Sequence, residues 1–388
     1  MSSPPSSQPV PRVWVLTNAP SPYQVELFSA IAAAQKVQLE VRFLRDSSSR
    51  GPERRFSHRI CKSWLTLSSG DELRIHGRAI WEATFGSYDL YILSGLYTSV
   101  TFLTCAWILY CRGKKWALWW ERPRAAKPES RRFPWTMIHA WKDAIRRWLL
   151  HSADLVIGIG SAAVKEYQEM GVRPDRLRML PYCCDVTRFS RVSPETREQM
   201  RRELGWSDKL VFLFSGQMIP RKGVDVLLAA FNRLAQDRED VALLLLGEGT
   251  DRATLQASMP DSLRSRVVFR GLVPQDQLPE QFAIADVFAF SSRHDGWAVV
   301  LNEACGASLP IIATYQTGAA HDLVRPGENG LLVNADDVDR MHNAMQWCAS
   351  HQSQLPHMGE LSHEIVQPLS AVQGAQTFID HVHYCLSY

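Results

Sequence analysis

The chain has 388 residues, 46% of them hydrophobic and 21% charged, which is long enough for two ordinary domains, each with its own core. No run of about 18 uninterrupted apolar residues is present, so a membrane-spanning helix is not expected. The eight cysteines form no CxxC pair and the twelve histidines no HExxH, which leaves no zinc or redox motif and points to reduced, structural thiols. The net charge of +3 conceals a polarised molecule: 27 basic and 16 acidic residues up to Ser190 (+11), then 16 and 24 (−8). A basic first half predicts an anionic surface or acceptor there, or simply solvated arginines.

The chain opens on "MSSPPSSQPVPR", a Pro/Ser tail without the basic start and apolar centre of a secretory signal. Residues 1–11 are expected as the disordered leader of a cytoplasmic protein, and the anionic-surface reading adds peripheral contact with the inner face of the membrane. Strand-like runs then alternate with helix-length segments: "RVWVLTN" and "PYQVELFSAIAAA", "YDLYILSG" and "SVTFLTCAWILYC", "WALWW", "ADLVIGIG" and "SAAVKEYQEMG". That rhythm predicts a doubly wound parallel sheet, with the apolar stretch Thr98–Cys111 as a buried helix. "GIGSAA" formally fits a dinucleotide fingerprint, but lies late in the sheet and reads better as a close strand-to-helix turn.

The segment "RRFPWTMIHAWKDAIRRWLLHS" places apolar residues at 134, 137, 138, 141, 145, 148 and 149, with Arg131, Arg132, Lys142, Arg146 and Arg147 around them. It reads either as a core-facing helix with a basic outer side or as an interfacial helix carrying Trp135, Trp141 and Trp148. After "SRVSPETREQMRRELGWSDK" the rhythm restarts with "LVFLFSG", "VALLLLGEG", "RVVFRG", "ADVFAFSS" and "LPIIAT", which predicts a second sheet and a boundary near Ser190. Two such sheets argue for two Rossmann-like halves facing across a cleft, because these folds bind ligands beyond the carboxyl ends of their strands. A last helix over "AVQGAQTFIDHVHYCLS", with Val372, Phe378, Val382 and Cys385 on one side, is expected to pack back on the first half.

Two stretches of the second half carry chemistry. In "FSGQMIPRKGVDVLLAAF", Gly216 turns after a strand and Arg221-Lys222 precede an amphipathic helix, so two cations near a helix N-terminus can hold a diphosphate; a solvated loop is the alternative. In "SSRHDGWAVVLNEACGASLPIIAT", Asp295 follows a strand, Gly296 admits close backbone approach, and the amides of Trp297 to Val299 would cradle a phosphate at the start of a helix. Glu303 comes eight positions after Asp295, about 12 Å of rise if helical throughout, though the Gly turn shortens this, so the two acids would grip different parts of one elongated ligand such as a sugar nucleotide.

This stretch resembles the acid-x7-acid signature of glycosyltransferase family 4, retaining sugar-nucleotide transferases of the GT-B fold. "SGQMIPRKGVDVLLAAF", "LLLLGEG", "RGLVPQDQLPEQFAIADVFAFSS" and "GAAHDLVRPGENGLLV" match that family in order and spacing, over roughly Leu210 to Asp337. The first half is only faintly similar, through "TNAPSPYQVELFSAI" and "LLHSADLVIGIGSAAVKEYQEMGV". The resemblance implies that Glu303 holds the ribose, Asp295 the transferred sugar, and Lys222 with Arg221 the diphosphate. It further implies that the turn "LVPQDQ" after Gly271, with Val273, receives the base through backbone contacts. Gly216, Gln217, Gly296, Trp297, Ala298 and Val299 complete the expected donor site. No metal or other cofactor is expected, since cations can neutralise the leaving diphosphate.

Three positions depart from the family: Gln217 stands for the usual Arg, Asp295 for the usual Glu, and Ala298 for the usual Gly. The family's Asn-Gly before "VD" appears as "PYCCDVTRF", and Pro20 and Pro22 stiffen the loop at Asn18 where glycine is usual. In "ALWWERPR", Glu121 is a candidate acceptor contact or base for the hydroxyl, beside Arg122 and Arg124; a salt-bridged surface loop is the other reading. The expectation is therefore an acceptor-binding domain over 1–190, a nucleotide-sugar-binding domain over 191–365, and a returning helix over 366–388. The partners are a nucleotide-sugar donor and a glycan or lipid-linked acceptor, with peripheral contact on an anionic membrane and no nucleic acid. The reaction is retaining transfer to an acceptor hydroxyl, in cell-surface polysaccharide or glycolipid synthesis. The alternatives are a sugar-nucleotide epimerase on the same fold and a catalytically silent nucleotide-sugar-binding subunit.

Overall fold

The structure is a computed structural model that describes residues 9–44, 65–67, 75–122 and 135–388, with side chains described except at 65–67 and 135–139. Most of the leader, Arg124, Arg131, Arg132 and the side chain of Trp135 lie outside the described residues. The chain divides into two units, one made of residues up to Cys184 together with Ala371–Tyr388, the other Asp185–Ser370. The expected boundaries at 190 and 366 thus compare with 185 and 371.

The first unit holds seven parallel strands, β1 (Arg12–Thr17), β2 (Gln38–Phe43), β3 (Leu65–Leu67), β4 (Leu90–Leu93), β5 (Trp116–Trp120), β6 (Leu155–Gly158) and β7 (Leu177–Met179), in the order β3-β2-β1-β4-β5-β6-β7. Its helices are α1 (Pro22–Ala33), α2 (Gly77–Phe85), α3 (Val100–Cys111), α4 (Trp135–Ser152), α5 (Ser161–Glu169) and, from the end of the chain, α14 (Ala371–Ser387). Alternation along β5 shows how the sheet is sandwiched. Trp116, Leu118 and Trp120 join a core with Ala79 and Ala83 of α2, Phe102, Cys105, Ala106 and Leu109 of α3, and Leu149 and Leu150 of α4. Trp119 points the other way, with ring centroids 6.2 Å from Phe28 of α1 and 6.2 Å from Phe378 of α14.

The returning helix buries Phe378, Val382 and Cys385, but Val372, expected inward, is 72% exposed. Gly374 takes that inward place, where a Cβ would stand 2.6 Å from the Cys183 side chain. Two elements that the chain-order reading leaves out, β2 and α2, are tied by a buried ion pair. Arg42 Nε donates to Glu82 Oε2 at 2.7 Å, and Trp14 Nε1 reaches the same oxygen at 2.9 Å. "GIGSAA" is a tight turn from β6 into α5: Gly160 has φ +90°, and a Cβ on Gly158 would lie 2.9 Å from the Val164 side chain.

The second unit has six parallel strands, β8 (Leu210–Ser215), β9 (Val241–Leu246), β10 (Val267–Gly271), β11 (Val287–Phe290), β12 (Ile311–Thr314) and β13 (Gly330–Val333), ordered β10-β9-β8-β11-β12-β13. All are parallel, and β8, β9, β11 and β12 are almost wholly buried, as expected of strands covered on both faces. The helices are α6 (Pro194–Glu203), α7 (Val224–Asp237), α8 (Arg252–Ala257), α9 (Leu278–Ala283), α10 (Val300–Gly306), α11 (Ala320–Leu323), α12 (Val338–Ser350) and α13 (Leu355–Val366). The sheet order reverses between neighbouring β8 and β11, so the loops leaving their carboxyl ends diverge there and open a crevice, the place where such sheets take ligands.

Candidate active site

Both chemistry-bearing stretches emerge at that switch point. After β8 the chain passes Gly216, half-buried Gln217 and buried Met218 into a single tight turn, Pro220–Lys222, before α7 begins. Gly223 makes the junction: its φ is +64°, and a Cβ would stand 2.2 Å from the Ser291 carbonyl oxygen. The two loops are thus locked backbone to backbone. Arg293 N–H donates to the Arg221 carbonyl at 2.8 Å, Ser291 Oγ to the Lys222 carbonyl and Ser292 Oγ to the Arg221 carbonyl, each at 3.2 Å. Arg293 also grips Asp225 of α7 at 2.9 and 2.7 Å and Asp336 at 2.5 Å, a strut that the sequence reading did not single out.

This lock brings Lys222, Arg221 and Asp295 together. Lys222 Nζ donates to Asp295 Oδ2, and Arg221 Nη1 approaches the same oxygen at 3.3 Å while donating to the His294 carbonyl at 2.7 Å. Lys222 Nζ also sits 4.8 Å above the Phe290 ring. Burial alone would raise the Asp295 pKa, but the charges and hydrogen bonds of Lys222 and then Arg221 outweigh it and hold the carboxyl below its usual range. Two cations share one carboxylate, so the cluster keeps a positive surplus in a poorly hydrated place, the condition for holding a diphosphate.

The expected helix begins at Val300, two residues after Ala298 where the spacing places it, and the segment from Asp295 to Val299 precedes it as a loop. Asp295 instead bridges Thr317: its N–H donates to the Gln316 carbonyl at 3.1 Å and its carbonyl accepts from Gly318 at 3.0 Å. The helix α10 runs only from Val300 to Gly306, so the rod of two turns between the acids becomes a bent loop and one turn plus. Ala298, where the family uses glycine, has φ +77°, which explains the family's preference in conformational terms. Trp297 is buried and donates from Nε1 to Asn302 Oδ1 at 3.0 Å, so its side chain props the loop.

Glu303 lies on the first turn of α10 with its side chain 16% exposed, and Arg188 Nη2 stands 3.7 Å from its carboxylate. Arg188 reaches further: with the Gln275 amide oriented oxygen-inward, that oxygen accepts from Nη1 and Nη2 at 3.1 and 3.2 Å. Gln275 belongs to the turn after β10 that also carries half-buried Val273. One guanidinium therefore connects the expected ribose carboxylate to the expected base-binding turn. The sequence reading missed Arg188; its only signal is a cation three residues after Asp185 at the start of the unit, which spacing alone cannot pair with residue 303.

Glu121 belongs to the first unit, just after β5, and is exposed. Its carbonyl accepts from Tyr167 Oη at 2.7 Å, and Tyr182 is held well above its ordinary pKa by burial first and then by the Glu121 carboxylate. Arg122 pairs with Glu166 at 3.5 Å. Asn18 Oδ1 accepts from the Leu96 amide at 3.1 Å, tying the loop after β1 to the loop after β4. Among the described residues no three His, Cys, Asp or Glu side chains are grouped to hold a metal ion.

Two parallel α/β units of this topology define a class, and solved structures share it. Anabaena HepE in complex with UDP aligns with a TM-score of 0.74 and 18% identity over 96% of this chain and 99% of that one. Sucrose-phosphate synthase from Thermosynechococcus elongatus gives 0.72, 18%, 96% and 98%. The fold is GT-B, that of a large class of glycosyltransferases. Residues 196–364 match the family model described as glycosyl transferases group 1. It is 31% identical over 219 residues to the GDP-mannose-dependent alpha-(1-6)-phosphatidylinositol monomannoside mannosyltransferase of Mycolicibacterium smegmatis, covering 54% of this chain and 56% of that protein. The chain thus spans little more than half the length of the curated relatives it matches.

Proposed function

We propose that the protein is a retaining glycosyltransferase that moves a sugar from a nucleoside diphosphate sugar to an acceptor hydroxyl, with GDP-mannose as the leading donor. The observation that carries this reading is the Lys222–Arg221–Asp295 cluster at the β8/β11 switch point, with Glu303 on the following helix. The donor identity draws on the GDP-mannose dependence in the relatives' names. Lys222 and Arg221 hold the diphosphate, Asp295 the hydroxyls of the sugar, and Glu303 the ribose diol. The loop from Gly216 and Gln217, the segment Gly296–Val299 and the turn at Val273 wrap the donor.

In the reaction the bond from the anomeric carbon to the diphosphate oxygen breaks while a bond to the acceptor oxygen forms on the same face. The departing phosphate takes the hydroxyl proton, and the two cations stabilise its growing charge without a metal. Glu121 belongs to the acceptor side, and the acceptor is a cell-surface glycan or its lipid carrier, with peripheral contact at an anionic membrane.

The test is a thermal-shift panel of UDP-, GDP-, ADP- and TDP-sugars, followed by incubation with acceptor and product analysis by NMR. A GDP-mannose-specific shift and an α-linked product support the reading. A changed sugar formed from donor alone would identify an epimerase. Donor binding without turnover under every acceptor would leave a silent binding subunit.

A further inference from the structure

The helices α2, α3 and α4 cover one face of the seven-stranded sheet, and their outward sides are unusual for helices in water. α3, "VTFLTCAWILYC", carries no charged residue at all, although Val100, Trp107 and Tyr110 face solvent. A surface helix ordinarily has a polar outer face. Beside it, Trp81 and Phe85 of α2 are exposed with ring centroids 5.8 Å apart, and Trp141 of α4 is 68% exposed, which departs from the core-facing of the two readings of that helix. Trp148 of α4 joins the helices laterally, 5.8 Å from Trp107 and 6.0 Å from Tyr110. Among the described residues all three exposed tryptophans, 81, 107 and 141, fall on this one layer.

Cations lie on or just beyond two of the same helices. Arg112 ends α3, Lys114 follows, and Lys142 and Arg147 are exposed on α4, where the one acid among the described side chains, Asp143, pairs with Arg146 at 3.1 Å. No helix of the described chain is long and apolar enough to cross a membrane. We propose that the outer face of α2–α3–α4 is a docking surface for an anionic lipid bilayer, with α3 at its centre, the aromatic rings at headgroup level and the cations on the lipid phosphates. A second copy of the chain fits less well, because a twofold contact on this face sets these cations against their own copies. The proposal deepens the membrane part of the reading above and does not lean on the transfer chemistry, so the two fail separately.

The full-length protein is floated at low salt with vesicles of phosphatidylcholine alone and of phosphatidylcholine mixed with phosphatidylglycerol. It is expected to float with the mixed vesicles, with a blue shift of tryptophan emission, and to lose that binding as salt rises. Trp81→Ser with Trp107→Ser lowers the partition at least about tenfold. Lys142→Gln with Arg147→Gln lowers it about fivefold per charge at low salt. Both pairs stay folded and keep the wild-type nucleotide response, because all four residues are remote in sequence from the donor loops. Failure of the wild type to float with anionic vesicles, or equal flotation of all variants, overturns the proposal. So does a dimer that Trp107→Ser dissolves in a protein without vesicle binding, which would assign the face to a second copy. A protein that floats but answers to no nucleotide sugar keeps this surface and sinks the transfer reading instead.

Discussion

Replacing Asp295 with Asn removes the one carboxylate that Lys222 and Arg221 share. The Coulomb attraction of a pair like Arg221 and Asp295 at 3.3 Å is about 5 kcal/mol at an effective dielectric of 20, partly offset by the burial of the charges. Breaking a buried pair from one side costs about 3–5 kcal/mol. Asp295 keeps 14% of its side chain in solvent and Asn preserves its shape and one acceptor, so the expected loss is about 2–3 kcal/mol, or about 4–12 °C in Tm.

The sign with pH follows from the lowered pKa of Asp295 in the fold. Its contribution is fully present above the unfolded carboxyl pKa of about 4 and is lost as pH falls through the lower folded value. Wild type and Asp295→Asn should therefore differ by a constant amount near neutrality and converge in strong acid. The variant also has one more positive charge in the site, so a nucleoside diphosphate should raise its Tm by more than it raises that of the wild type. Scanning fluorimetry with and without GDP, across pH, reads all three effects. A Tm within about 1 °C of the wild type, together with an unchanged GDP response, would refute the ion-cluster account.

Ala298→Gly should raise Tm by a few degrees, since relief of about 1–2 kcal/mol of strain at φ +77° exceeds the added chain entropy of about 0.4–1 kcal/mol; a lower Tm would contradict this. Gly223→Ala drives a Cβ onto the Ser291 carbonyl and should abolish the nucleotide-induced shift while lowering Tm by several degrees, measured in the same fluorimetric format. Arg188→Met should weaken GDP binding about tenfold by calorimetry, because it removes the guanidinium that joins Glu303 to Gln275, with Arg188→Lys recovering part; equal affinity in Arg188→Met would remove Arg188 from the site.

What could be read from the residues alone was whatever is local or periodic. Strand and helix rhythm announces two doubly wound sheets, and the loops at Lys222 and Asp295 stand out because charge appears between buried runs. β2 and α2 escaped because Arg42 and Glu82 look like surface charge, whereas their pairing across 40 residues is what makes them fit a core. Trp141 and Val372 obey helical spacing yet face out, since periodicity identifies a stripe and not which side of it meets the sheet. The left-handed turn at Ala298 hides behind an ordinary residue. Arg188, 115 positions before Glu303, is joined to it only by the fold.

The central claim is that the second unit grips a nucleoside diphosphate through the cations of the β8 loop and the acid of α10. Calorimetric titration of GDP and UDP into the wild type, Lys222→Ala and Glu303→Ala tests it most directly. The account predicts one nucleotide per chain, with affinity reduced at least about tenfold in each variant. Equal affinity in all three proteins, or no nucleotide binding by the wild type, would contradict it.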